Sequence, residues 1–407
     1  MGYDRLFMAK PLDGIRVLDF SHALAGPYCT MLMADYGAEV YKVEGVDTHD
    51  MGRTWGPPFQ GGEASYFLGL NCGKRAVSVD LKDERGREVC LRMAEKVDVL
   101  IENFRPGAMA RLGLGWEEAR ARNPRLIYCS ISGYGHSGPA RDKAAMDLIL
   151  QASSGLMSMT GTEDGRVARC GHSVADITAG MFALIGVLMA LRSRERTGAG
   201  QFVDVSMFDS MISAMASNFA YHLGSGNIPR PLGTAFPTIV PYAAFPAKDR
   251  EIAIAVASER LWAAFCEAVE KPEWMTDERF ATNSQRVRHR GVLEAAIAGV
   301  LGRRAAEEWE EVFRRRGIPC TPVRNLKEVA EDPQAAERNM FPAVIHRAAG
   351  EVRVTGVPVK LSETPGSVAS AAPLVGQHTR EVLREVLGMK DTEIDELVRD
   401  RVVVEGE

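Results

Sequence analysis

Five short runs rich in Val and Ile punctuate the chain: GIRVLDF (14–20), AEVYKVE (38–44), DVLIENF (98–104), RLIYCSI (125–131) and QFVDVSM (201–207). Helix-patterned segments such as AGPYCTMLMADYG and DERGREVCLRMAEKV lie between them. A strand covered on both faces reads as a nearly continuous apolar run, and parallel strands need a helical crossover between them. The alternation therefore predicts an α/β fold with a largely parallel sheet. Ligands of such sheets sit beyond the carboxyl ends of the strands, which points to the loops after Phe20, Glu44, Phe104 and Ile131.

Neither a GxGxxG fingerprint nor a P-loop follows any of these strands. SHALAGP (21–27) turns into a helix but lacks the glycine spacing, so nicotinamide- and ATP-dependent chemistry is disfavoured. At 407 residues the chain is expected to hold two domains, and 46% apolar with 25% charged residues is the composition of a soluble globular protein. A net charge of −5 implies no nucleic-acid partner and no polybasic membrane anchor. The opening MGYDRLFMAKPLDGI shows neither an apolar core of signal-peptide length nor the Ser or Thr of the myristoylation pattern. Seven scattered cysteines without a CxxC pair read as reduced thiols in a cytoplasm, and no metal-ligand spacing occurs. From about Gly224 to Pro246 the chain is rich in Gly and Pro, as at a crossing into a second domain. Residues 247–310 hold one strand, EIAIAVA, and several amphipathic helices; GIPCTPVRNLKEV (317–329) reads as the return. The tail, 340–407, adds short strands and a closing helix, HTREVLREVLG.

GHSVADITAGMFALIGVLMAL (171–191) sets one carboxylate, Asp176, at the mouth of a long apolar run. By spacing, Asp176 is an N-cap that accepts the free N–H groups of the first helical turn. Ile177 to Leu191 falls short of the ~18–20 apolar residues of a bilayer span. Gly180 and Gly186 within the run imply close packing against another element.

Four stretches in order, PLDGIRVLDFSHALAGPYCTMLMADYGAEVYKVE (11–44), ENFRPGAMARLGLGWE (102–117), SGYGHSGP (132–139) and GHSVADITAG (171–180), resemble the family III coenzyme A transferases. That group includes formyl-CoA transferase, carnitine CoA-transferase and succinyl-CoA:glutarate CoA-transferase, and the 2-methylacyl-CoA racemases share its fold. The resemblance covers residues 11 to about 390. It implies a large domain with a Rossmann-like sheet built from both chain ends (1–223 and 326–407), a smaller inserted α+β domain (224–325), and an interlocked dimer of two such chains. A homodimer is the expectation; a heteromer stays open.

The resemblance also implies an enzyme moving CoA from an acyl-CoA to a small carboxylic acid, with CoA as substrate and no permanently bound cofactor. Asp176 matches the family's nucleophile. A carboxylate suits that role because it can attack a thioester, then carry CoA as its own thioester, keeping the acyl group activated without ATP. Carried over to CoA contacts are Ala23, Leu24 and Ala25; Val79, Asp80, Leu81 and Lys82; Asn103, Phe104, Arg105 and Arg111; and Ala144, Ala145, Met146 and Asp147. Arginine and lysine there suit the phosphates of CoA.

Three departures set expectations on substrate. Leu24 stands where formyl-CoA transferase has Gln, Met146–Asp147 where it has Tyr–Glu, and its glycine-rich loop has no counterpart, which disfavours formyl-CoA and oxalate. Met146 stands where the racemases have a catalytic His, and Met moves no protons, which disfavours α-proton exchange. Asp147 also reads as a residue opening the helix DLILQASSGL. DMGRTWGPPF (50–59) and LGTAFPTIVPYAAF (232–245) are most similar to the succinyl-CoA:glutarate type. Trp55 is expected near the substrate, and Leu24, Met146 and Phe236 form an apolar acyl pocket if all three face it. Arg53 or Arg169 is the candidate for a second carboxylate. The alternatives are a racemase-like isomerase and a catalytically silent CoA-binding subunit.

Overall fold

The computed structural model describes residues 10–406. The opening MGYDRLFMA, on which part of the leader-peptide reading rested, lies outside the described residues. The chain divides into two compact units: one runs to Leu156, resumes over Arg169–Asn227 and closes from Pro333 onward, and the other comprises Met157–Ala168 and Ile228–Asp332.

The first unit is built on a seven-stranded sheet. Its strands are β1 (Arg16–Asp19), β2 (Glu39–Glu44), β3 (Lys74–Val79), β4 (Val99–Glu102), β5 (Ile127–Ser132), β6 (Phe202–Ser206) and a C-terminal strand, Val403–Val404. The order is C-terminal strand, β3, β2, β1, β4, β5, β6. β1 to β6 are parallel, and the C-terminal strand alone runs antiparallel, pairing Val403 with Val79. The five expected strands are all present, one or two residues shorter at most ends. β3 escaped the sequence reading because Lys74, Arg75 and Ser78 break its apolar run; Lys74 and Ser78 are nonetheless buried. The tail holds two helices where one was expected, Thr379–Leu387 and Asp391–Arg399. Their apolar faces (Val382, Leu383, Ile394, Leu397) join the core formed by Leu18, Tyr41, Val77 and Leu100.

The chain leaves β1 toward β2 and β3 on one side, then returns to place β4 on the other. The strand order thus reverses between β1 and β4, and open α/β sheets leave a crevice at that point.

Three helices shape the crevice: α1 (Ala25–Asp35), α2 (Asp147–Ser153) and α3 (Val174–Thr197). α3 starts before Asp176 and, by length and composition alone, is long and apolar enough to cross a bilayer. Its buried stripe is made of small residues, Ala175, Ala179, Ala183 and Ala190 with Val187. Gly180 lets it approach α1 so closely that an added Cβ would stand 2.6 Å from the Ala25 carbonyl oxygen, and one on Gly186 would stand 2.8 Å from Val203 on β6. Met181, Ile185, Leu188 and Met189 on the same helix are exposed.

The second unit carries a three-stranded antiparallel sheet, β7 (Tyr242–Pro246), β8 (Glu251–Ala255) and β9 (Cys320–Pro322), with β8 central. Trp262, Phe265, Trp309 and Phe313 fill its core. Arg286 is buried there against Glu259 (2.9 Å) with its guanidinium 4.7 Å above the Trp262 ring.

Candidate active site

At the end of β1 the chain makes a tight turn before α1. Ala23 takes φ +62° there, a left-handed conformation that an L-residue with a Cβ adopts at a cost. The next loop, after β4, brings Asn103 alongside. His22 N–H donates to Asn103 Oδ1 at 2.8 Å, and Asn103 Nδ2 donates back to the His22 carbonyl at 2.8 Å. The reversal point of the sheet is therefore stitched across its two loops by one side chain.

A cavity of about 390 Å³ opens beside this stitch. Ala23, Leu24 and Ala25 line it from the β1 turn, Asn103, Phe104 and Arg105 from the β4 loop, and Ala145, Met146 and Asp147 from the approach to α2. Asp176 lines it from α3. Trp55 joins from the loop after β2, its ring edge-on to Tyr66 at 5.0 Å. A second cavity of about 340 Å³ lies next to it, lined by Gly45, Asp47, Thr48, Asp80, Leu81 and Lys82 among others. His22 and Phe104 line both cavities and meet edge-to-face at 5.2 Å, forming the partition. The two cavities beside the reversal point thus gather most of the residues singled out in the sequence.

Some of those residues fall elsewhere. Val79 is sealed in the core, and Arg111 and Ala144 are exposed and line neither cavity. Phe236 belongs to the second unit, where its ring leans on Tyr242 at 5.2 Å. Arg53 is committed: it donates to Glu44 at 2.8 and 2.9 Å and to Glu63 at 3.1 Å, and lies 3.7 Å above the Phe67 ring. Arg169 does line the first cavity. Sequence reasoning missed Met51, Tyr66, Arg141 and Lys143, which also line it. Their positions depend on loops and single-turn helices that carry no periodic pattern.

Asp176 does not cap α3. It is the third helical residue, and Ser173, at the cap position, makes no side-chain cap bond. The turn is instead closed from α2: Asp147 Oδ1 accepts the Ala175 N–H at 2.9 Å. Asp147 Oδ2 accepts from Gln151 Nε2 at 2.7 Å, and Gln151 Oε1 takes the Cys170 N–H at 2.8 Å, tying the approach to α3 onto α2. Burial, and then the charge of Asp147, push the Asp176 carboxyl up to about 7. A carboxylate so poorly solvated and near a like charge is reactive when ionised. The start of α1 bears no side-chain cap, and Leu24 and Ala25 there line this cavity. Among the described residues no group of three His, Cys, Asp or Glu side chains forms a metal site.

The profile described as CoA-transferase family III matches residues 12–379. The succinyl-CoA:glutarate CoA-transferase of Mus musculus is 37% identical over 398 residues, spanning 98% of this chain and 91% of that protein. The acetyl-CoA:oxalate CoA-transferase of Acetobacter aceti is 39% identical over 364 residues, 88% of this chain and 92% of that one. Among solved structures, a CAIB/BAIF family protein from Brucella suis superposes with a TM-score of 0.85 at 34% identity, covering 93% of this chain and all of the other.

Proposed function

Because the chain belongs to CoA-transferase family III, we propose that it moves coenzyme A from succinyl-CoA or another acyl-CoA to a carboxylic acid acceptor, with Asp176 as nucleophile. The observation that carries this reading is the poorly solvated Asp176 carboxylate on the first turn of α3, in a cavity lined by the starts of α1, α2 and α3 and by the loops at the sheet's reversal point. The Asp176 carboxylate attacks the thioester carbonyl and expels CoA as thiolate, leaving a mixed anhydride. The thiolate attacks the aspartyl carbonyl, frees the donor acid and forms an Asp176–CoA thioester. The acceptor carboxylate then displaces the thiolate, and the thiolate takes the new acyl group while Asp176 is regenerated. No water, ATP or metal enters the balance, and water must be kept out while the anhydride exists. The uncapped start of α1 supplies N–H donors for the oxyanions.

In this reading the second cavity holds the nucleotide end of CoA, with Lys82 beside its phosphates, and the partition of His22 and Phe104 marks where the pantetheine arm passes toward Asp176. Arg105 is the matching cation of the first cavity. Leu24, Trp55 and Met146 give the acceptor pocket apolar bulk, and Arg169 is placed to meet a second carboxylate. That favours a dicarboxylic or apolar-substituted acid over a very small one. The chain works as a homodimer, interlocked as in its family; the exposed apolar face of α3 (Met181, Ile185, Leu188, Met189) supports self-association. Seven unpaired cysteines support a reducing, cytoplasmic setting.

The test is a panel assay in D2O. Purified protein is incubated with succinyl-CoA or acetyl-CoA against oxalate, dicarboxylic and aryl-substituted acids, and mass spectrometry reads the CoA products. New acyl-CoA species that vanish in Asp176→Ala support the proposal and name the acceptor class. Deuterium at the α-carbon of an added 2-methylacyl-CoA, without acyl exchange, overturns it.

A further inference from the structure

Beneath the β1 turn lies a chain of buried charges that contacts neither cavity directly. Lys42 Nζ and Asp50 Oδ2 are 2.9 Å apart with both side chains fully buried, and Lys74 Nζ and Asp19 Oδ2 are 3.1 Å apart, equally buried. Charges sealed in this way stabilise a fold poorly compared with apolar side chains of the same volume. Their hydrogen bonds show another use. Asp19 Oδ1 accepts the Ser21 N–H at 2.9 Å, and Lys42 Nζ donates to the Ser21 carbonyl at 2.8 Å. Asn103 holds the N–H and the carbonyl of His22, each at 2.8 Å. Asp50 Oδ1 accepts the Ala23 N–H at 2.8 Å. Five consecutive polar backbone groups are thus gripped by side chains, and the last grip falls on the residue with φ +62°. Asp50 is itself held by the Gly52 N–H at 2.8 Å, and its own N–H donates to Glu44 Oε1 at 3.0 Å.

We infer that Asp50 is a positioning residue for the transfer reaction: by holding the Ala23 N–H it keeps the β1 turn in a strained left-handed conformation that aims the start of α1 into the cavity containing Asp176. The inference rests on the transferase reading above. Leu24 and Ala25 line that cavity, and they follow directly from the strained residue. A relaxed Ala23 would swing the first N–H groups of α1 away from the reacting carbonyl, and misplacement of about 1 Å can cost about a hundredfold in rate. Strain held at a site by surrounding structure is how such turns persist.

The test is a double-mutant cycle of Asp50→Ala and Ala23→Gly, reading kcat, KM for the acyl-CoA, and Tm. Glycine adopts positive φ without steric cost, so it replaces what Asp50 imposes. The expected result is a loss in kcat of about a hundredfold in Asp50→Ala with a smaller change in KM. Ala23→Gly, at a residue that itself lines the cavity, serves as the reference arm of the cycle, and the double variant recovers about tenfold or more over Asp50→Ala. Ala23→Gly also raises Tm when introduced into the wild type but not when introduced into Asp50→Ala. Multiplying kcat losses with additive Tm shifts would overturn the inference, since a residue that only supports the fold cannot be rescued at position 23. If Asp50→Ala does not fold, Asp50→Leu in a Lys42→Met background, which removes the acceptor and its buried cation together, takes its place in the same cycle with Lys42→Met as the reference. If the wild type transfers no CoA, the transferase reading falls, and the Tm cycle, which needs no substrate, still decides whether Asp50 holds Ala23.

Discussion

Asp147 Oδ1 accepts the N–H of Ala175 at 2.9 Å, so the first turn of α3 is closed by a carboxylate from α2 and not by Asp176. Two carboxylates meet at one helix start, and both line the cavity: Asp147 is buried and occupied by hydrogen bonds to Ala175 and Gln151, and Asp176 is the other. Their separation into a structural and a chemical role follows from that division of contacts.

A pH dependence follows. Burial and the charge of Asp147 raise the Asp176 carboxyl to about 7, and only its ionised form is nucleophilic. Transfer activity is expected to fall with an acid limb near that value. Asp147→Asn keeps an acceptor for the Ala175 N–H, though it disturbs the Gln151 contact, and it removes the like charge. The limb is then expected to move down by roughly one pH unit. A kcat profile from pH 5 to 9 on both proteins checks this; an unmoved limb would assign it to another group.

The same shift bears on stability. A carboxyl whose folded pKa lies above its unfolded value favours the fold at low pH and loses that contribution as pH rises through the folded pKa. For Asp176 the loss accumulates between the ordinary carboxylate range and about pH 7. Asp176→Asn is therefore expected to be inactive yet more stable at pH 7.5, by on the order of a few kcal/mol at most. The difference from wild type should close as pH falls toward 4. Paired thermal melts at the two pH values decide it, and a variant no more stable at pH 7.5 would contradict the account.

Packing makes a third prediction. An added Cβ at Gly180 would stand 2.6 Å from the Ala25 carbonyl and 3.2 Å from the Tyr28 ring. Backbone cannot yield as a side-chain tip does, so Gly180→Ala is expected to destabilise by roughly 1–3 kcal/mol and to lower kcat by shifting α1 relative to Asp176. Chemical denaturation with a parallel activity assay measures both.

Arg53 and Arg169, equal candidates by sequence, separate in structure. Arg53→Met leaves Glu44 buried without its partner and is expected to cost about 3–5 kcal/mol. Arg169→Met is expected to leave stability within about 0.5 kcal/mol and raise KM for a dicarboxylic acceptor by roughly tenfold or more, with a monocarboxylic acceptor little affected. Denaturation curves and acceptor KM values for both variants distinguish the two roles.

Much of this was legible in the residues because the sheet advertises itself. β1, β2, β4, β5 and β6 are apolar runs, and the loops after β1 and β4, to which the strand ends point, are where His22 and Asn103 bond at the reversal point. β3 was hidden because its buried Lys74 is neutralised by Asp19, a partner 55 positions earlier in the chain. The role of Asp147 at Ala175 was hidden for a similar reason. A capping rule looks for a donor and acceptor within one turn, and here they lie 28 positions apart. Tyr66 reached the cavity through a short helix, Ser65–Leu68, that no periodicity marks.

The most direct test of the central claim is covalent. The protein is mixed with succinyl-CoA in the absence of acceptor, quenched in acid and digested, and the peptide containing Asp176 is weighed by mass spectrometry. This peptide is expected to gain the mass of CoA less water, the adduct to disappear on adding the acceptor acid, and Asp176→Ala never to form it. CoA found on another residue, or acyl exchange that persists at the wild-type rate in Asp176→Ala, would contradict it.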